Sequence, residues 1–291
     1  MIESRSCLVA VYGVALTISL IIWRDLMTSH YEKEESLTGG NVSRVYRSGH
    51  TVRREIKPES IKIHRLLKHL ENKGYSHSPK YLGIDEKGRE ILSYIKGEAG
   101  NYPLKEYMWS NSALTDIAKM LRQYHDAVSD FSLSDEWKPI DYTPGIIEVI
   151  CHNDFAIYNI IFDDEKPVGI IDFDMAAPGP RIWDIAYTLY TCVPLSRHYY
   201  TETGKVVQYS STTDADRIKQ RIQLFFESYG MEDLSEGFID VVILRLQSLR
   251  QTIIRKAGEG DHAFQQMIDR GELEHYQKDI DFIREHGREW A

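Results

Sequence analysis

Three oxygen-bearing side chains in one short stretch carry the chemical signal of this sequence: Asp154, Asn159 and Asp172, with His152 just ahead of them. Asn159 follows Asp154 by five residues, and Asp172 follows Asn159 by thirteen. One carboxylate and one amide suit a hard cation such as Mg²⁺, which takes oxygen ligands and fills the rest of its shell with waters and substrate phosphates. Asn159 and Asp172 are therefore candidate metal ligands. Asp154 is then spare and can orient a hydroxyl and accept its proton. Such a set provides the parts of phosphoryl transfer, in which positioning and charge neutralisation do most of the catalysis.

The elements that must position these groups can be read around them. An apolar run at residues 160–162, a polar turn at 163–166 and a second run at 168–171 predict a β-hairpin. That hairpin would set Asn159 at the mouth of its first strand and Asp172 at the end of its second. Asp154 would lie on the loop just before. A short apolar strand is expected over residues 145–150, leading into His152. Residues 176–180, rich in small residues and proline, read as a loop.

His152-x-Asp154-x4-Asn159 followed by Ile171-Asp172-Phe173-Asp174 resembles the catalytic segment of the aminoglycoside phosphotransferase and choline kinase group. The resemblance covers residues 36 to about 192 well and the remainder loosely. It implies an α+β, two-lobed protein-kinase-like fold. A small antiparallel β lobe at 36–96 would bind nucleotide, and a larger, mainly helical lobe at 97–291 would carry the catalytic loop and the acceptor-binding helices. It further implies ATP as phosphate donor, Mg²⁺ on Asn159 and Asp172, and a small-molecule hydroxyl as acceptor. Asp154 and His152 are the catalytic-loop candidates, Asp154 as the base and His152 as the organiser of the loop. Asp184, in Trp183-Asp184-Ile185-Ala186, would brace that loop. Asp174 would cap the following loop or assist a second Mg²⁺.

In the first lobe, Gly39-Gly40-Asn41 separates two strand-like runs, where backbone N–H groups can approach an anion. By resemblance this is the nucleotide-covering loop, with Gly39 and Gly40 in the turn and Ser43 donating to a phosphate. Strand alternation over residues 51–56 puts Val52, Arg54 and Ile56 on one face. Arg54 stands where the group has a phosphate-holding lysine, with Lys57 as the alternative. Arginine can pair bidentately with phosphate but is not equivalent to lysine. A helix over residues 58–73 follows, started by Pro58 and stopped by Gly74. Where the group carries a glutamate partner for the lysine, this helix has Ile63 or His64. Glu59, one turn earlier, is either a substitute or simply a first-turn acid. Strands at 80–84 and 90–95 lead to a hinge at Lys96-Gly97-Glu98, where the main chain of Ser93 and Ile95 would hydrogen-bond adenine.

Beyond the catalytic stretch, a helix over 112–128 shows an apolar stripe, and His125 beside it reads as a packed histidine. The chain after the Trp183 helix reads as helical, with segments at 214–229, 232–257, 261–269 and 271–287. Glu227, Tyr229, Asp240 and Tyr276 are acceptor-pocket candidates among them.

Composition sets the outer bounds. Among 291 residues, 42% are apolar and 27% charged, an ordinary globular balance. A net charge of −9 argues against nucleic acid as a partner. Cys7, Cys151 and Cys192 are scattered, which suits a reducing cytoplasm and no disulfide framework. Residues 6–23 carry no charge, at the lower limit of a membrane span. Three readings stay open: a membrane anchor, a start that really falls at Met27, or a tail.

Competing chemistries explain less. His152 and Asp154 could be two-thirds of an iron facial triad, which leaves Asn159 and Asp172 unused. Cys151 as a nucleophile would need a base other than its immediate neighbour. A degenerate kinase-like binding protein is the second reading, motivated by the missing lysine and helix glutamate. A protein-substrate kinase is disfavoured because no activation segment separates Asp172 from Trp183. Oligomeric state is not legible.

Overall fold

The computed structural model of the chain describes residues 34–37, 45–231 and 237–290. Its N-terminal sheet comprises β1 (Glu35–Leu37), β2 (Val45–Ser48), β3 (Thr51–Arg54), β4 (Tyr81–Ile84) and β5 (Glu90–Ser93). The strands run antiparallel in the order β1-β2-β3-β5-β4. β3 ends at Arg54, short of the predicted 56, because the chain turns there into helix α1 (Ser60–Asn72). That turn is closed by two bonds: Lys57 N–H donates to Ser60 Oγ and Ser60 N–H donates to Lys57 O, each at 3.0 Å. Ile63, Leu66, Leu67 and Leu70 bury one face of α1, at the helical spacing read from the sequence. Gly74, at φ +76°, ends the segment.

The chain then crosses into a larger, mostly helical region through β6 (Glu98–Ala99). β6 does not join the first sheet. It pairs with β8 (Ile160–Asp163), which forms the predicted hairpin with β9 (Lys166–Ile170). The turn is shorter than expected: Asp164 and Glu165 alone make it, both at positive φ, as a two-residue type I′ turn requires. The crossing presses close on the hairpin. A Cβ at Gly100 would stand 2.2 Å from Ile157 O, and one at Gly97 would stand 2.3 Å from Phe162 O.

The helices of this region are α2 (Asn111–Ala127), α3 (Arg181–Cys192), α4 (Ser211–Tyr229), α5 (Phe238–Gly258), α6 (His262–Asp269) and α7 (Glu272–His286), of which α2 packs against β9. Ser110 caps α2 by accepting a hydrogen bond from Ala113 N–H at 3.0 Å. Tyr124, Phe155, Phe162, Trp183, Phe225 and Phe226 centre the core beneath the catalytic stretch.

Three expectations need correction. Residues 176–180 are not only loop: β10 (Ala177–Gly179) pairs antiparallel with β7 (Val149–Cys151). Small residues and a proline hide this strand, because its place is fixed by pairing and close packing. The strand expected over 145–150 is confined to β7, and Ile146 and Ile147 upstream are exposed. Nor is everything after α3 helical. A hairpin of β11 (His198–Tyr200) and β12 (Val206–Gln208) precedes α4.

No helix among the described residues is long and apolar enough to cross a membrane. Residues 6–23, and with them the question of an anchor, lie outside the described residues, as do Gly39, Gly40 and Ser43.

Gly100→Ala should destabilise the chain by about 1–3 kcal/mol, since its methyl would press on fixed backbone. Gly258→Ala, with nothing near its added methyl, should be neutral or slightly stabilising. Urea melts of both variants check this pair, and equal midpoints would contradict it.

Candidate active site

The catalytic stretch leaves β7 as an irregular loop whose backbone donors need a partner. Asp184, fully buried on α3, provides it. One of its oxygens accepts from His152 N–H and the other from Asn153 N–H, both at 2.7 Å. Asp184 Oδ2 also lies 3.1 Å from His125 Nε2, and His125 Nδ1 lies 2.7 Å from the Tyr229 hydroxyl. Burial pushes the Asp184 carboxyl up, but the bond to His125 and the loop N–H groups more than offset it and hold it below its usual value. Asn153, at φ +62°, adds a second tie: its side-chain amide donates to Met175 O at 3.1 Å. From α5, buried Arg245 donates to Asn153 O and lies 4.6 Å from the centre of the Tyr187 ring. The loop is thus fastened from three elements.

His152 is enclosed. Its ring lies 4.4 Å from that of Phe173, and its Nδ1 accepts from Asp154 N–H at 3.3 Å. Burial lowers its pKa to about 4, so the ring is neutral and cut off from solvent. That position suits the loop-organising part of its expected role and is closed to acid–base work.

Asp154 is half-buried, with its carboxylate aimed by two neighbours. The Tyr158 hydroxyl donates to Oδ1 at 2.6 Å and the Asn159 amide donates to Oδ2 at 2.8 Å. Burial raises its pKa to about 6; the negative charge of Asp172 pushes the same way, while the two hydrogen bonds oppose. Asn159 closes a short 3₁₀ turn, Ile157–Asn159, that opens directly into β8. Its –NH₂ is spent on Asp154, leaving the carbonyl oxygen as the atom able to meet a cation.

Asp172 lies two residues past β9 in the left-handed region, at φ +65°, with its side chain half-exposed. Ile171 N–H donates to Asn159 O at 3.0 Å, which zips the ends of the hairpin together beside Asp154. Burial and the neighbouring charge of Asp174 raise the Asp172 pKa.

Asp174 departs from the expected loop cap. It reaches to the first lobe, where Arg54 Nη2 and Lys57 Nζ each contact one of its oxygens at 2.7 Å. Two cations, Arg54 at the end of β3 and Lys57 in the turn after it, attract it more strongly than a loop N–H would. Arg54 Nη1 lies 3.8 Å from Asp172. Burial alone would lower the Arg54 pKa, but the charges of Asp174, Glu90 and Asp172 hold it above its ordinary value. Arg54 and Lys57, read as alternatives, act together on one carboxylate. Glu59 is no partner of Arg54; it sits at the N-cap of α1. Glu90 instead contacts Arg54 Nε.

Tyr158, Tyr187, Tyr190 and Tyr276 gather on the α3–α7 side of Asp154. The hydroxyls of Tyr158 and Tyr187 are 3.0 Å apart, and Tyr190 donates to buried Asp279 at 2.7 Å. Tyr276 is therefore near the site. Tyr229 belongs to the Asp184 brace, and Glu227 and Asp240 are exposed. Ser93 N–H donates to Lys80 O at 2.9 Å, and Ile95 follows two residues beyond. Glu90 and Arg245 gave no signal in sequence, because a buried charge reads like any surface charge until its partners are placed. The tyrosines of α3 carried a weak signal, recurring at helical spacing after Asp184.

The fold is the kinase-like, two-lobed architecture of phosphotransferases. Comparison with known proteins places the chain within that class. A profile of the phosphotransferase enzyme family matches residues 147–216, the stretch from β7 into α4. The trifolitoxin immunity protein of Rhizobium leguminosarum bv. trifolii is 32% identical over 218 residues, spanning 72% of this chain and 79% of that protein. The chain belongs to the phosphotransferase enzyme family. Solved structures agree on the fold. The GDP complex of aminoglycoside 2′-phosphotransferase-IIIa aligns with a TM-score of 0.55 at 16% identity, over 91% of this chain and 98% of that one. An aminoglycoside phosphotransferase of Streptomyces rimosus, bound to ADP and streptomycin, gives 0.52 at 16% over 75% and 92%. A choline/ethanolamine kinase family protein of Mesorhizobium loti gives 0.51 at 15% over 87% and 92%.

Asp184→Ala should cost about 3–5 kcal/mol, because it strands two buried N–H donors under the catalytic loop. Thermal unfolding checks it; a loss under 1 kcal/mol would remove the brace from the account.

Proposed function

We propose that this protein transfers the γ-phosphate of a magnesium-bound nucleoside triphosphate, ATP in the first instance, to a hydroxyl of a small molecule. The observation that carries the reading is the Asp154 carboxylate, held by Tyr158 and Asn159 beside Asp172 at the open end of one hairpin, opposite its turn. Asp154 would align the acceptor hydroxyl and take its proton as the oxygen–phosphorus bond forms and the bond to the departing diphosphate breaks. Positioning of this kind can supply on the order of 7–11 kcal/mol.

The donor set fits a hard cation: a carboxylate open to solvent and an amide carbonyl, without sulfur or imidazole. Asn159 and Asp172 would hold the Mg²⁺, which when bound neutralises charge on the phosphate oxygens. Arg54, with Lys57, would hold the phosphates by exchanging Asp174 for phosphate oxygens of the same charge. Gly39, Gly40 and Ser43 would cover the nucleotide, and the main chain of Ser93 and Ile95 would receive the base. One of the structural neighbours is an ADP complex and another a GDP complex, so GTP is the alternative donor to test. The tyrosine cluster would form the wall against which the acceptor lies, with buried Asp279 behind Tyr190. Aminoglycosides, choline, sugars and, given the relative named for toxin immunity, other antibiotics make up the acceptor panel. A reducing cytoplasm is the setting this donor implies.

The test is nucleotide consumption against that panel with ATP and with GTP. Asp154→Ala should bind nucleotide but lose about 10²–10⁴-fold in turnover. Asp172→Ala should lose Mg²⁺-dependent nucleotide binding. Wild-type turnover in both variants would end the assignment. The pH profile adds an independent check. A base with a pKa near 6 is ionised above it, so kcat/KM should fall as pH drops through about 6 and be level above it. Tyr158→Phe removes a bond that favours the anion, so the limb should move to higher pH. A limb that stayed put would exclude Asp154 as its source.

A further inference from the structure

We infer that Glu90 and His64 form the positioning pair that holds Arg54 for the nucleotide phosphates, replacing the helix glutamate this chain lacks. The inference rests on the phosphotransferase reading above. Arg54 and Glu90 are direct cross-strand partners in the β3–β5 ladder, so the backbone itself places them opposite each other. The Glu90 carboxylate is 1% exposed. One of its oxygens contacts Arg54 Nε and the other His64 Nε2. A carboxylate so enclosed is costly unless its oxygens are paired, and these two groups meet both of them.

The guanidinium is thereby used on two sides. Nε faces back to Glu90, and Nη1 and Nη2 face the cleft, toward Asp172 and Asp174. A guanidinium fixed by one edge presents its other N–H donors in set directions, the geometry that phosphate recognition uses. His64 is itself fixed. Its ring stacks on Tyr81 of β4, with centroids 3.8 Å apart and planes 17° apart. Lys68, one helical turn on, lies 5.1 Å from the same Tyr81 ring.

This arrangement reverses the usual division of labour. The acid comes from the sheet that carries Arg54, and the helix supplies only the imidazole behind it. A shift of α1 would break the His64 contact and leave Arg54–Glu90 intact. The phosphate-holding group is therefore fixed independently of helix position. Loss should be graded: large on removing Glu90, small on removing His64.

The test is Mg·ATP and Mg·GTP titration calorimetry on the full chain, with melting temperature as a fold control. Glu90→Gln should weaken nucleotide binding by about 10-fold, the scale of losing a partner that orients a binding group. His64→Ala should weaken it by less than about 3-fold, since only the outer partner is lost. Arg54→Ala combined with Glu90→Gln should bind no worse than Arg54→Ala alone, because Glu90 acts through Arg54. Moving the carboxylate to the helix, Glu90→Gln with His64→Glu, should recover binding. Should Glu90→Gln fail to fold, Glu90→Asp, which keeps the charge and shortens its reach, carries the same comparison. Wild-type affinity in the Glu90 variant, or losses that simply add in the double variant, would overturn the inference while leaving the phosphotransferase reading standing. A wild-type chain that bound neither nucleotide would overturn both.

Discussion

The candidate site hangs on a carboxylate that is wholly buried. Asp184 sits in the core and uses both oxygens to gather the N–H groups of His152 and Asn153, with His125 and Tyr229 behind it. The loop after β7 has no strand partner for those donors, and Asn153 holds a backbone conformation that non-glycine residues seldom adopt. Without the carboxylate the loop would face buried, unmatched donors; with it, Asp154 emerges at one defined place. Arg245 completes the fastening by taking the Asn153 carbonyl. The expense of burying two charged groups is met by a fixed loop geometry rather than by a larger core.

The second constraint is charge facing charge across the cleft. Asp172 and Asp174 stand two residues apart and cannot both ionise freely; their pKa values are driven in opposite directions, up for Asp172 and down for Asp174. Arg54 and Lys57 resolve this by settling on Asp174, which leaves Asp172 more exposed and less compensated. A group in that state is well disposed toward a divalent cation. Asp174 thus has a structural reason to be acidic: it is the counter-ion of Arg54 and Lys57.

Much of this was legible in the chain. The hairpin, α1 with its glycine stop, α2, and the spacing of Asp154, Asn159 and Asp172 follow from periodicity and turn chemistry, which act over a few residues. What was hidden depends on distant partners. β10 is a strand only because β7 lies beside it, and the β11–β12 hairpin is too short for its alternation to stand out. Asp174 looked like a cap because its cationic partners are 117 and 120 residues away in sequence. Glu90, at the start of the strand expected over 90–95, gave no local signal, yet it is among the most buried charges of the described residues. The enclosure of His152 among the rings of Tyr124, Phe155 and Phe173 was likewise hidden, since two of those rings come from other segments.

If hairpin, brace and counter-ions make a nucleotide-metal site, a crystal structure of the protein with Mg²⁺ and a non-hydrolysable ATP or GTP analogue must show it. The expected map has the Asn159 carbonyl and an Asp172 oxygen within about 2.0–2.1 Å of the metal. Arg54 would have turned from Asp174 to a phosphate oxygen while keeping its bond to Glu90. A metal–nucleotide complex bound elsewhere, with Asn159 and Asp172 untouched, would contradict the account.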